Sequence, residues 1–160
     1  MSLFTERHHT FISATFYLIV KGEGYHNYRD AFRMAVHLYA QQRGSRMAQR
    51  ALRDGRPLDF ASYRYYAEWQ YRPQILAEMP DASSWVAEGR DAKITIRSCP
   101  WSSQYIEMDL SDGILDYCAD LDQSLARGFN PEIVYEVQQT MHNGNDCCIH
   151  YQRDGKVNAD

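Results

Sequence analysis

Apolar residues at Leu3, Phe4, Phe11, Ile12, Ala14, Phe16 and Ile19 predict a largely buried helix over about 3–21, ending at Gly22 or Gly24. The run 16–20 also suits a short strand. A second helical pattern, Tyr28, Phe32, Ala35, Val36 and Tyr39, continues through Met47, Ala48, Ala51 and Leu52 if it tolerates Gly44. A glycine inside a helix costs about 1 kcal/mol against alanine, so Gly44 marks a kink or a close packing contact. Gly55 and Pro57 end this helix, and Asp59 or Ser62 is placed to cap a third, which carries Tyr63, Tyr66, Trp69 and Tyr71. Between Pro73 and Pro80 no period dominates.

The period then shortens. Trp85-Val86-Ala87 and the stretch 92–97 alternate apolar and polar residues, as half-buried strands do. Asp112 reads as the cap of a helix over 113–127, with Ile114, Leu115, Cys118, Leu121 and Leu125 on one side and Gly128 as its stop. Two final strands, 132–141 and 146–152, flank a His142-Asn143-Gly144-Asn145 turn. The expectation is one α+β domain over 1–160. Its helical N-terminal half, about 3–70, packs on an antiparallel sheet formed mainly by the C-terminal half, about 84–153, which also holds one long helix.

A chain of 160 residues buries roughly 70% of the surface its unfolded form exposes, so no disulfide staple is required. The formal net charge of -4 argues against a general nucleic-acid partner, whose affinity needs a basic surface. The apolar run 14–20 is far short of the roughly 20 residues that span a membrane. His8 and His9 precede it where a signal peptide carries Lys and Arg, and read as an exposed pair. The expected setting is cytoplasmic, where thiols stay reduced, and a homo-oligomer is compatible with the sequence.

All four cysteines lie beyond residue 98. They fall in an ordered series: Cys99-Pro100-Trp101, Tyr117-Cys118 with Asp122, Gly128-Phe129-Asn130-Pro131, and Gly144-Asn145-Asp146-Cys147-Cys148. With the stretch from Arg46-Met47-Ala48 to Pro57, this series resembles the L-2-amino-thiazoline-4-carboxylic acid hydrolase family. The resemblance runs from about the second helix to Gln152, and it implies a fold similar to 4-vinyl-reductase-type small-molecule domains. It also implies hydrolytic opening of a cyclic C=N group, with addition at an amidine-like carbon and loss of a C–S bond, and no cofactor.

A thiolate suits such an addition if a cation or a helix N-terminus lowers its pKa. Cys118, near the start of a helix, is the candidate nucleophile. Asp122, one turn on, shares its face and is placed to hold a substrate nitrogen or His150. Asp146, Cys148 and His150 share one face of the last strand by its period of two. His150 is the candidate acid/base and Asp146 its orienting group. Cys99, Trp101, Cys148 and Tyr66 are candidates for lining the substrate cavity. Arg43, Arg46, Arg50 and Arg53 form a basic stripe from which Arg46 or Arg50 can grip a carboxylate.

Blander readings stand beside these. Buried cysteines serve as small hydrophobes, basic stripes are solvated faces, and Asn130-Pro131 and Asp146 complete turns. An alternative is a non-catalytic module that binds a small molecule, or zinc or iron through Cys99, Cys118, Cys148 and His150.

Overall fold

A computed structural model describes residues 6–24, 26–66, 83–88, 91–97, 99 and 105–153, with backbone only at 6–11, 83–88 and 119. Leu3, Phe4, Trp69, Tyr71, Pro73, Pro80, Pro100 and Trp101 lie outside the described residues.

The N-terminal half is helical: α1 (Glu6–Gly22), α2 (Tyr28–Arg53) and α3 (Phe60–Tyr66). The run 16–20 is helix, not strand. Gly24 and Gly55 sit at φ +68°, in the left-handed region where glycine meets no steric penalty, just beyond α1 and α2. Asp59 caps α3 by accepting the backbone N–H of Ser62 at 2.8 Å.

The C-terminal half carries β1 (Ser83–Glu88), β2 (Asp91–Ile96), α4 (Ser111–Phe129), β3 (Val134–Gln139) and β4 (Cys148–Arg153). The four strands form one antiparallel sheet in the order β1-β2-β4-β3. The fold is α+β, as the sequence pattern implies. Both ends of α4 differ from the expectation. It starts a residue before Asp112, with Leu110 at the N-cap position. Instead Asp112 accepts the Tyr17 hydroxyl at 2.5 Å and pairs with Lys21 at 3.4 Å, which ties α4 to α1. Gly128 does not stop the helix, which runs on to Phe129 and is capped at Asn130.

α4 is the middle layer. It packs along α2 on one side and against β3 on another, and Ile114, Tyr117, Leu121, Leu125, Ala126 and Phe129 are all buried. The α2 side is held by a ladder of polar pairs. Arg29 grips Asp116 through two bonds of 2.7 Å, Arg33 meets Asp120 at 2.6 Å, and His37 Nδ1 lies 2.8 Å from Ser124 Oγ. Each pair is separated by 87 residues, so the two helices run in the same direction and in one fixed register. Further along, side chains give way to backbone. A Cβ on Gly128 would lie 2.8 Å from Gln41 Cα, and one on Gly44 would lie 2.7 Å from the backbone nitrogen of Phe129. Gly44 therefore marks close packing, the second of its two expected uses.

Asn130 sets the entry to β3. Its amide donates to the Leu58 carbonyl at 2.7 Å, and its side-chain oxygen accepts the Glu132 N–H at 2.9 Å. Between β3 and β4 the chain makes a 3-10 turn (Met141–Asn143) and passes Gly144 at φ +83°. That connection takes up residues expected in the strand, so β4 begins at Cys148 and Asp146 is left outside it, exposed.

Candidate active site

Strand alternation aims Cys148, His150 and Gln152 inward from β4, and all three are buried. In register beside them stand Ile96, Ile94 and Ala92 on β2, and Tyr135 opposite Gln152 and Val137 opposite His150 on β3. The face of α4 that carries Cys118 and, one turn on, Asp122 meets this row.

Three polar groups join across that interface. The Tyr135 hydroxyl is hydrogen-bonded to His150 Nδ1, and the same nitrogen lies 3.6 Å from Asp122 Oδ2. Tyr135 also hydrogen-bonds Asp122 and the Gln152 amide. One assignment satisfies every partner: Tyr135 donates to the carboxylate and accepts from Gln152 N–H and from His150 Nδ1–H. His150 Nε2 is then the imidazole nitrogen that carries a lone pair. The Asp122 side chain keeps 27% of its surface, against 8% for His150, so the carboxylate is the more open end of the pair.

Burial sets the protonation states. It raises the Asp122 carboxyl, against the opposing pull of His150 and the Tyr135 hydrogen bond. It lowers His150, which Asp122 only partly offsets, so the ring is neutral at neutral pH. It drives Tyr135 far up, helped by the Asp122 charge.

Cys118 is half-buried, and its thiol is pushed well above the ordinary range by burial, then by Cys99, Asp122 and Cys148. No cation is among those influences, so the resting group is a thiol. Cys148 is raised by burial as well, while the Met141 N–H donates to its sulfur at 3.4 Å and pulls the other way. Cys99, half-buried just past β2, acts on both sulfurs.

The structure thus gathers Cys99, Cys118, Asp122, Cys148 and His150. Asp146 is exposed in the preceding turn. Tyr66 bonds Asp54 at the far end of α2. Arg46 and Arg50 line a surface hollow on α2. Cys147 is half-buried, with its sulfur 3.7 Å from Gln139 Nε2. Among the described residues no three His, Cys, Asp or Glu side chains converge in a manner able to hold a metal ion, so the Cys99, Cys118, Cys148 and His150 ligand set does not assemble. Tyr135 and Gln152 are the members that sequence reasoning missed. The one signal pointing to them was strand alternation, which sets Tyr135 on the same face as Val137.

The site is an Asp-Tyr-His cluster beside a thiol, set between one helix and one sheet of a small α+β fold. The sequence model of the L-2-amino-thiazoline-4-carboxylic acid hydrolases matches residues 5–151, and the chain belongs to that family. No curated protein matches it. No helix among the described residues is long and apolar enough to cross a membrane.

Proposed function

We propose that this protein is a cofactor-independent hydrolase that opens a small cyclic C=N substrate of the thiazoline type between α4 and the sheet. The observation that carries the reading is the Asp122-Tyr135-His150 cluster set one helical turn from the Cys118 thiol, in a chain of this family.

The raised thiol dictates the first step. Cys118 stays protonated until substrate arrives, then passes its proton to the Asp122 carboxylate as its sulfur adds to the amidine-like carbon. The ring C–S bond breaks, and the departing sulfur takes that proton from Asp122. The substrate carbon is now bonded to Cys118. Water attacks it next, losing a proton to His150 Nε2. The carbon–Cys118 bond breaks and a C=O group forms, the second proton of the water passing to the former ring nitrogen and the first returning through His150 to the sulfur. The net change is addition of one water and opening of one ring, with the enzyme restored. Tyr135 holds the imidazole with Nδ1 protonated, which leaves Nε2 to act.

The test is turnover of 2-amino-thiazoline-4-carboxylate with rapid-quench mass spectrometry of the protein. A substrate-derived mass on Cys118 that forms and decays within turnover is expected, absent in Cys118→Ala and retained in Cys147→Ala. Unchanged turnover by Cys118→Ala would remove the nucleophile. If Asp122→Asn and His150→Gln still abolished turnover, water attacking directly would take its place.

A further inference from the structure

Ile12, Phe16 and Ile19 recur at steps of four and three on α1, and Ala31, Met34, Ala35 and Leu38 form a second apolar stripe on α2. These are the spacings of a core-facing stripe, yet both face water. Ile12 and Ile19 are each 56% exposed, Met34 58%, Leu38 51% and Phe16 39%. The stripes adjoin, because Phe16 stacks on Phe32 with ring centroids 6.1 Å apart, and Phe32 is the buried neighbour of Ala31. The inner sides of both helices are already occupied. Tyr17 and Val20 of α1 and Phe32, Val36 and Ala40 of α2 fill the core, while Arg29, Arg33 and His37 are turned to α4. Over this stretch α2 turns its cations towards another helix and an uncharged stripe outward, the reverse of an ordinary surface helix.

We propose that this face binds a second copy of the chain, the two α1–α2 layers packing across a twofold axis. Taking roughly 200 Å² for a fully exposed residue of this size, the five exposed residues present about 500 Å² of apolar surface. A standard interface takes about 800 Å² from each partner, and in homodimers about 65% of that is apolar, which again comes to about 500 Å². The face thus supplies the apolar share of a dimer interface. Its pattern is also self-complementary. Ile12 and Ile19 each lie about one turn from Phe16, so an antiparallel crossing centred on Phe16 brings Ile12 of one copy against Ile19 of the other, as an isologous contact requires. Charge argues against a membrane as the occupant. The neighbouring cations Lys21, Arg29 and Arg33 are each paired with an aspartate, and the chain's net charge is -4, whereas a helix that lies on a bilayer surface carries Lys and Arg on its polar face for anionic lipids. This interface is independent of the hydrolase reading, since it uses none of the residues in the thiol pocket.

Sedimentation velocity of the full chain between about 1 and 100 µM tests it. The wild-type chain should form a dimer, and Ile12→Glu/Ile19→Glu, which sets like charges face to face, should weaken it at least about 100-fold. Ile12→Glu/Ile19→Lys sets opposite charges across the axis and should recover at least about tenfold of that loss. On the second stripe, Met34→Glu/Leu38→Glu should also weaken the dimer. All four positions are exposed, and an unchanged circular dichroism spectrum checks the fold. Flotation of the wild-type chain with phosphatidylcholine–phosphatidylserine vesicles tests the membrane as occupant. A wild-type chain that stays monomeric, a dimer that Ile12→Glu/Ile19→Glu leaves intact, equal weakening by the two α1 variants, or wild-type monomers that float with the vesicles overturns the proposal.

Discussion

Asp122 and His150 are shifted in opposite directions by the same burial, and the two shifts have opposite effects on stability. The carboxyl is raised above its ordinary 3.8, so above that value the folded state carries a charge it holds less well than the unfolded chain does. Its contribution improves as pH falls through the raised value towards 3.8. His150 is lowered below 6.5, so on acidification the unfolded chain takes up the proton first and stability is lost from about pH 6.5 downward. Asp122→Asn should therefore raise the melting temperature at pH 7.5, with the gain shrinking towards pH 4. A gain that did not depend on pH would refute the assignment. Tyr135→Phe removes the hydroxyl that fixes the imidazole. It should lower kcat at least about tenfold with a smaller change in KM, and move the acid limb of the pH profile, because a freed His150 titrates differently. The Cys118 and Asp122 pair was legible as a helical i, i+4 step. Tyr135 was not, because its role depends on a cross-strand register that no local pattern encodes.

At the level of elements, the α2 and α4 pair is held by charge at one end and by bare backbone at the other. Arg29 is 53% exposed, while the Asp116 side chain it grips is 6% exposed, so the two halves of that pair are not equivalent. Arg29→Met strands a buried carboxylate and should cost about 3–5 kcal/mol in urea unfolding. Asp116→Asn leaves an arginine that can reach water, and should cost clearly less. Gly44→Ala pits a helix-propensity gain of about 1 kcal/mol against a Cβ driven into the Leu125 carbonyl and the Phe129 nitrogen. Backbone cannot yield as a side-chain tip can, so a net loss of about 1–3 kcal/mol is expected, read as a lower urea midpoint. Sequence periodicity located both helices. It misread Gly128 as a stop, because a glycine selected for close approach and one selected for a turn look alike in a single chain. Asp116 and Asp120 of α4 carried no local signal of their pairing. Their partners lie 87 residues away.

For the whole molecule, the fold class was readable because helical and strand periods occupy separate halves of the chain. The layering was not, since nothing local says that α4 stands between α2 and the sheet. A chain ended at residue 104 should lack stable tertiary structure, because α2 would lose the helix that packs along it as far as Gly44. A cooperative thermal transition in that fragment would contradict the central role given to α4.

The shared direction of α2 and α4 also bears on how the protein is made. At roughly 5–20 residues per second, a ribosome makes each turn of α2 some 4–17 s before the matching turn of α4, 87 residues later. Through that interval the arginines of α2 and its apolar stripe have no partner helix, and the glycine seam is open. The growing chain is then most exposed to holdase chaperones and to aggregation, so slower synthesis between residues 53 and 111 should lower the yield of native protein more than slower synthesis after residue 130.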